Sequence, residues 1–210
     1  MPKIFDSTLT AHRLIPVVTV STAAHALPLA DALIRGGLPL CEVTLRTGCA
    51  IEAISQIARA YPDMLLGAGT VLDAENVTAA ADAGARFVVS PGFSYTVAER
   101  CAELGLPYLP GVATASELMA AMDAGFRLLK FFPAEQLGGV AYLRALAAPF
   151  GTVRFVPTGG ITEENLPAYL AIPQVAACGG SFVAPERLMA AGSWDEIARR
   201  AQDAAERSHT

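Results

Sequence analysis

Eight apolar, strand-length segments alternate with helical segments along the chain, and this alternation predicts an α/β fold, a single-domain (β/α)8 TIM barrel. The connections are short, and a glycine precedes a strand in three similar segments, 81–86, 102–107 and 121–127. An open doubly wound sheet is the main alternative, but the GxGxxG turn that usually follows its first strand is missing after Val20. We therefore expect residues 1–210 to form one barrel domain with a short N-terminal helix.

The strands are predicted from short continuous runs of apolar and β-branched residues, which are typical of strands buried on both faces. They are expected at 15–20, 40–45, 64–71, 87–90, 107–112, 128–132, 153–157 and 175–178. The helices are predicted from the helical spacing of apolar residues, from capping residues such as Asp73, and from glycines that end a helix. They are expected at 23–35, 51–60, 73–84, 94–104, 114–125, 139–147, 162–170 and 194–206, with either Thr114 or Ser116 as the start of the fifth.

The composition argues against several classes of protein. A net charge of −5 disfavours a nucleic-acid partner, which usually needs a basic face. The longest apolar runs are only strand-sized, so no membrane span is expected. The N-terminal segment 1–16 has no signal-peptide core, and we expect the protein in the cytoplasm.

The four cysteines form no CxxC motif, and none has a histidine at metal-ligand spacing. We interpret Cys41, Cys49, Cys101 and Cys178 as reduced structural thiols. The three histidines are His12, His25 and His209. Neither a metal nor another cofactor is expected, and the chemistry is sought among other residues.

Lys130 is the feature that most directly indicates chemistry. The chain has only two lysines, Lys3 near the terminus and Lys130 inside the apolar strand 128–132 before Pro133. An ammonium group is costly to bury, so such a site favours the neutral amine, which can attack a carbonyl and form a Schiff base. Alternatively, Lys130 lies at an edge and extends its amine to water.

The second predicted strand places Glu42, Thr44 and Arg46 on one face, since side chains alternate along a strand. Glu42 could serve as the general acid/base that a Schiff-base reaction requires, and Arg46 could bind a carboxylate with its forked guanidinium. The alternative is a buried Glu42–Arg46 ion pair without a catalytic role.

Glycine pairs follow the seventh and eighth predicted strands, in Gly159-Gly160 and Gly179-Gly180-Ser181. Free N–H groups there, together with a following helix dipole, would bind an anion, and barrels commonly bind phosphate after these two strands. The alternative is two tight loops.

The segment 67–70 allows either close backbone approach or simple packing, and the segment 90–93 could form an apolar wall.

The residues resemble a known family, the bacterial 2-keto-3-deoxy-6-phosphogluconate (KDPG) aldolases. The resemblance extends from Ile15 to Pro185 and rests on six motifs in the family's order and spacing. They are EVTLRT (42–47), GAGTV (67–71), SPG (90–92), KFFPAE (130–135), PTGGI (157–161) and GGS (179–181).

This resemblance implies a metal-free class I aldolase of the Entner–Doudoroff pathway. It would cleave KDPG, a phosphorylated 2-keto-3-deoxy sugar acid, to pyruvate and glyceraldehyde 3-phosphate. By the matching motifs, Lys130 would form the Schiff base and Glu42 would be the general acid/base. The remaining matched residues would bind the substrate: Arg46 and Thr70 its carboxylate, Pro91 and Phe132 as apolar walls, and Gly159, Gly160, Gly180 and Ser181 its phosphate. Family members are typically homotrimers and often also act on 4-hydroxy-2-oxoglutarate.

The sequence differs from many relatives at position 182, where Phe182 stands in place of a tryptophan. This difference bears on aldehyde preference, and a galactonate-type aldolase is an alternative assignment. A different phosphate-binding barrel enzyme, such as an epimerase or a thiamin-phosphate-type synthase, would not need the lysine at position 130. A barrel that binds a metabolite without turning it over would not need the full set of Glu42, Arg46 and Lys130.

Overall fold

The computed structural model describes the backbone of residues 3–208 and the side chains from residue 7 onward. Within that part of the chain the strands are β1 Leu14–Val18, β2 Leu40–Thr44, β3 Leu65–Gly69, β4 Phe87–Val89, β5 Tyr108–Leu109, β6 Gly111–Val112, β7 Leu128–Phe131, β8 Arg154–Pro157 and β9 Cys178–Gly180. The helices are α1 Lys3–His12, α2 Ala26–Arg35, α3 Ala50–Ala60, α4 Ala74–Asp82, α5 Tyr95–Glu103, α6 Ala115–Asp123, α7 Gly139–Ala147, α8 Leu166–Leu170, α9 Glu186–Ala190 and α10 Trp194–Arg207.

The fold is α/β, with the strands paired in parallel. Six strands form one sheet in the order β5-β4-β3-β2-β1-β9, which curls into a half-barrel. The strands β6, β7 and β8 form a second parallel sheet. Isolated parallel bridges, Phe155 to Val175 and Thr158 to Gly179, connect the β8 segment with the chain that leads into and through β9.

The helices pack through one apolar face each. In α3 the buried residues are Ala50, Ala53, Ile54 and Ile57, which share one side of the helix because their spacing follows the helical period. The α6 helix begins with a capping box, in which the Thr114 hydroxyl accepts from the Glu117 N–H and the Glu117 carboxylate accepts in return.

Two predicted strands differ from the structure. The strand expected at 107–112 is divided into β5 and β6 at Pro110, which has no N–H to give to a ladder. The Pro110 carbonyl still accepts a bond of 2.8 Å from the Lys130 N–H. The strand expected at 175–178 instead begins at Cys178, since Val175 makes only an isolated bridge and the ladder with β1 starts at Cys178. Gly179 and Gly180 therefore lie within a strand.

Two predicted helices also start later than expected. Residues Ala23–His25 form a 3-10 turn before α2. The helix expected at 162–170 begins only at Leu166, because Thr162 and Asn165 bond each other's backbone N–H groups through their side chains, at 2.8 and 3.3 Å. Such local side-chain bonds give the backbone an alternative to helix. No helix among the described residues is long and apolar enough to cross a membrane.

Candidate active site

A cavity of about 120 Å3 opens where β1, β2, β7, β8 and β9 end. Its lining is mostly polar or glycine, in contrast to the apolar core beneath it. Seven residues that the sequence analysis selects lie around it: Glu42, Arg46, Lys130, Phe132, Gly159, Gly160 and Ser181. The other lining residues are Val17, Thr19, Thr44, Thr158, Ile161 and Gly179.

Lys130 and Glu42 form a buried pair in this cavity. The Lys130 Nζ lies 3.2 Å from Glu42 Oε1, and the two residues are only 5% and 2% exposed. The amine also lies 5.2 Å from the centre of the Phe132 ring. The alternative that Lys130 extends to water is therefore wrong. So is a Glu42–Arg46 pair, because the carboxylate contacts the lysine.

Gly69 leaves the space that the Glu42 carboxylate occupies. A Cβ at Gly69 would lie 2.1 Å from Glu42 Oε1 and 2.6 Å from its Cγ. The two residues lie on neighbouring strands, since Gly69 in β3 is registered with Thr44 in β2. Close approach is therefore the reason for glycine at position 69, whereas Gly67 in the same segment packs against the Phe87 ring.

Arg46 and Thr70 meet at the rim of the cavity. Arg46 Nε donates to Thr70 Oγ1 at 3.2 Å, and Arg46 is exposed. Thr70 has φ of 57°, in the left-handed region that a β-branched residue rarely adopts. Backbone strain of this kind, about 1–3 kcal/mol, is concentrated at functional sites. The strained backbone places the Thr70 hydroxyl beside a guanidinium that could bind a carboxylate.

Three threonines on the cavity wall, Thr19, Thr44 and Thr158, lie outside the predicted set of site residues. Thr19 and Thr44 share a hydrogen bond of 2.8 Å, and the Thr44 hydroxyl also lies 3.2 Å from the Val18 carbonyl. Thr158 is buried, and a Cβ at Gly179 would lie 2.3 Å from its Oγ1. Alternation along β2 already places Thr44 on the Glu42 face, and the same alternation along β1 could have identified Thr19, because it shares the face of Val17, which lines the cavity and pairs with Glu42.

The glycine pair after β8 forms an open turn. Gly159 and Gly160 have φ of 99° and 78°. Two backbone hydrogen bonds join this turn to the loop after β7. The Ala134 N–H donates to the Thr158 carbonyl, and the Glu135 N–H donates to the Gly159 carbonyl. A turn with this conformation can direct backbone N–H groups toward an anion.

The expected contribution of helix dipoles to an anion site is wrong. The helix that follows the Gly159-Gly160 turn, α8, and the helix that follows β9, α9, have five residues each, and neither begins at the glycines. Of the second glycine pair, Gly179 faces the cavity, whereas Gly180 packs against Phe182. A Cβ at Gly180 would lie 2.6 Å from the Phe182 ring.

Pro91 lies apart from the other selected residues. It follows β4 and packs on β6, where a Cβ at Gly111 would lie 2.1 Å from the Pro91 carbonyl oxygen. Within the described part of the chain, the residues lining the cavity do not include Pro91, and Thr70 reaches the rim only through Arg46.

The cysteines are free thiols, as expected. Burial raises the pKa of the Cys41 and Cys101 thiols to about 12, which leaves them unreactive at neutral pH. Among the residues that the structure describes, no cluster of three or more His, Cys, Asp or Glu side chains could hold a metal ion.

The chain is similar to known proteins over nearly its whole length. The family model described as KDPG and KHG aldolase matches residues 5–200. The chain is 45% identical over 201 residues to the KHG/KDPG aldolase of Escherichia coli K12, covering 96% of this chain and 94% of that protein.

Two solved structures are also closely similar. One is a KDPG aldolase from Legionella pneumophila with pyruvate captured as a covalent carbinolamine, with a TM-score of 0.91, 40% identity, and coverage of 94% of this chain and 96% of that chain. The other is the KDPG aldolase of Zymomonas mobilis ZM4 with 3-phosphoglycerate, with a TM-score of 0.88, 41% identity, and coverage of 95% and 94%. The resemblance seen in the sequence is confirmed, and the chain belongs to the KDPG and KHG aldolase family.

Proposed function

We propose that this protein is a class I aldolase that cleaves 2-dehydro-3-deoxy-6-phosphogluconate to pyruvate and glyceraldehyde 3-phosphate through a Schiff base on Lys130. The observation that carries the proposal is the buried contact of 3.2 Å between Lys130 Nζ and Glu42 Oε1 inside the cavity. An amine beside a carboxylate supplies both the nucleophile and the proton carrier of this chemistry. The carbinolamine in the Legionella relative supports the same route.

The pair can generate its own nucleophile. Since the amine and the carboxylate are in hydrogen-bond contact, a proton can pass from Lys130 to Glu42 without entering bulk water. The neutral amine attacks the C2 ketone of the substrate, and Glu42 returns the proton to the oxygen that leaves as water. The product of these steps is a protonated imine joining Lys130 to C2.

The imine then draws electrons from the C3–C4 bond. As that bond breaks, the C4 hydroxyl loses its proton to Glu42, the aldehyde departs, and an enamine remains on Lys130. Protonation at C3 and hydrolysis of the imine release pyruvate and restore the amine. One carboxylate can serve each step because every proton it accepts is used again in the next.

Two groups orient the substrate. The exposed Arg46 guanidinium, aligned by Thr70, would bind the carboxylate next to C2. The turn at Gly159-Gly160 and the hydroxyl of Ser181, which line the same cavity, would bind the phosphate. Holding both ends brings C2 to the amine, and this orientation lowers the barrier more than either contact alone. Phe132 would form an apolar wall beside the amine, while Pro91 and Gly180 would support the walls from behind.

A second substrate, 4-hydroxy-2-oxoglutarate, is favoured by the name of the Escherichia coli relative, KHG/KDPG aldolase. It shares the carboxylate and ketone that Arg46 and Lys130 would hold, and beyond its C4 hydroxyl it carries a second carboxylate in place of the longer phosphorylated end of KDPG. Both reactions use the same amine and carboxylate, so one site serves both.

The wider organisation is also proposed. The bridges between β8 and the β9 segment, and the single proline between β5 and β6, support closure of the two sheets into one (β/α)8 barrel over residues 1–210. We further propose a homotrimer in the cytoplasm that needs no metal or other cofactor and binds neither nucleic acid nor membrane.

The direct test is pyruvate release, measured by coupling to lactate dehydrogenase. The substrates are 2-dehydro-3-deoxy-6-phosphogluconate, its C4 epimer and 4-hydroxy-2-oxoglutarate. We expect the gluconate-derived substrate to be cleaved with the highest kcat/KM. Faster cleavage of the epimer would assign a galactonate-type aldolase, and no pyruvate from any of the three would contradict the proposal.

A further inference from the structure

Arg200 on α10 connects two loops that border the cavity. We define the first loop as residues 158–165, after β8, and the second as residues 181–185, after β9. Arg200 Nη1 donates to the Phe182 carbonyl in the second loop at 3.2 Å and lies 3.6 Å from Glu163 Oε1 in the first. Its Nε donates to Glu196 of the same helix at 2.9 Å. One guanidinium therefore fixes both loops to α10.

The bond to the Phe182 carbonyl constrains the backbone on both sides of it. The Phe182 ring lies so close to Gly180 that a Cβ there would come within 2.6 Å of it. Ser181, between these two residues, lines the cavity. With the ring packed on Gly180 and the carbonyl bonded to Arg200, the backbone on either side of Ser181 is held in place.

The contact with Glu163 sets the distance between the loops. Glu163 is three residues after Gly160, in the same loop as the turn proposed to hold the phosphate. Arg200 is half-buried, with 23% of its side chain exposed, and Glu163 has 31% exposed. An ion pair shielded to this degree is stronger than a fully exposed one, because water screens it less.

Arg200 also offsets negative charge beside the two loops. The carboxylates of Glu163 and Glu196 both lie against its guanidinium. Without Arg200, Glu163 would lose this partner and Glu196 would keep only Arg199, so the negative charge beside the two loops would rise and would repel an incoming phosphate. The loss of Arg200 would therefore both loosen the loops and weaken the attraction for an anion.

We propose that Arg200 is a positioning residue that sets the preference of this enzyme for phosphorylated over unphosphorylated aldehydes. It acts through the two loops and touches no reacting atom. This inference rests on the proposed function, since it concerns the phosphate end of the same cavity.

The test compares Arg200→Ala and Arg200→Lys with Arg199→Ala. Arg199 is a matched control, because it bonds the same Glu196 and also Asp203 but stays within α10. Each protein condenses pyruvate with glyceraldehyde 3-phosphate or with glyceraldehyde, which differ only in the phosphate. The measured quantity is the ratio of kcat/KM for the two aldehydes.

We expect Arg200→Ala to lower this ratio about tenfold, chiefly through KM for the phosphorylated aldehyde, in line with the loss of a charged hydrogen bond. Arg200→Lys should lower the ratio less, since it keeps the charge and loses the forked geometry. Arg199→Ala should leave it unchanged. Thermal melting with inorganic phosphate gives an independent reading, in which Arg200→Ala should show a smaller rise in Tm than the wild type or Arg199→Ala.

Equal losses on both aldehydes, or equal behaviour of Arg200→Ala and Arg199→Ala, would overturn the inference. If Arg200→Ala does not fold, an unchanged ratio in Arg200→Lys together with an unchanged phosphate effect on its Tm would overturn it as well. A wild type that condenses neither aldehyde would instead contradict the proposed function itself.

Discussion

Lys130 Nζ and Glu42 Oε1 lie 3.2 Å apart although the two residues are separated by 88 positions in sequence. The strands β7 and β2 that carry them belong to different sheets. Burying two charges is costly, and their mutual attraction only partly offsets that cost. The pair therefore contributes little to stability. This favours a functional reason for the presence of both residues.

Removing one member of the pair should destabilise the protein. Lys130→Met would leave the Glu42 carboxylate buried without a partner, and we expect a loss of about 3–5 kcal/mol in the free energy of unfolding. Lys130→Met/Glu42→Met replaces both charges with apolar side chains of similar length and should recover most of that loss. Urea unfolding measures both variants, and neither should release pyruvate. If the double variant were less stable than Lys130→Met, burial of the charged pair would not carry a net electrostatic cost.

Gly69→Ala should disable the site while the fold persists. The added methyl would lie 2.1 Å from Glu42 Oε1 and would push the carboxylate from its place beside Lys130. A displacement of about 1 Å at a reacting group costs about a hundredfold in rate, so we expect a loss of this order in kcat. Gly151→Ala is the control, since a Cβ there meets nothing within 4 Å. Similar kcat values for the two variants would show that the Glu42 position does not matter.

Thr70→Gly should separate stability from activity. Glycine relieves the strain at φ of 57° but adds freedom to the unfolded chain, so the free energy of unfolding should stay within about 1 kcal/mol of the wild type. The hydroxyl that accepts from Arg46 would be lost, and we expect KM for pyruvate in the condensation direction to rise about tenfold. Thr70→Ser keeps the hydroxyl and should keep KM near the wild-type value. A marked rise in KM for pyruvate in Thr70→Ser would show that the hydroxyl does not contribute to pyruvate binding.

Acid stability should depend in part on Glu196. Hydrogen bonds from Arg199 and Arg200 lower the pKa of Glu196 from 4.5 to about 2. Between these values the unfolded chain binds a proton that the folded chain does not, so the stabilising contribution is present above pH 4.5 and disappears as pH falls to about 2. Glu196→Gln should flatten the dependence of Tm on pH in this window. The effect should be small, because the Glu196 side chain is partly exposed and water screens its ion pairs.

The control for this experiment is Glu206→Gln, which removes the same charge from the same helix. Glu206 accepts a hydrogen bond from the amide of Gln202 rather than from an arginine. The Tm of Glu206→Gln should depend on pH in the acid range as the wild-type Tm does. Matching curves for the two variants would mean that the arginines do not set the acid response.

The sequence predicts most of the fold because its signals are local. The helix α7 occupies the expected residues 139–147, and β2 agrees within a residue. Burial of Lys130 and its nearness to Glu42 also follow from apolar strand composition and strand-end position. The start of the last strand cannot be predicted in this way. The segment that begins at Val175 is as apolar as a strand, and only the register with β1 decides where pairing begins.

Long-range contacts account for what the sequence analysis missed. The need for glycine at position 69 depends on a carboxylate from a neighbouring strand, and no local pattern distinguishes it from a packing glycine. The role inferred for Arg200 depends on a helix near the end of the chain meeting two loops that precede it. From the sequence alone, the charged residues of such a helix indicate only a face exposed to solvent.

The central claim, that Lys130 forms a Schiff base, is tested most directly by trapping it. The protein is incubated with pyruvate and borohydride, digested, and analysed by peptide mass spectrometry, with Lys130→Met treated in parallel. We expect the peptide containing Lys130 to gain the mass of one reduced pyruvate adduct, together with a loss of activity that requires both reagents. An unmodified Lys130 peptide from active enzyme, or an adduct on another residue, would contradict the account.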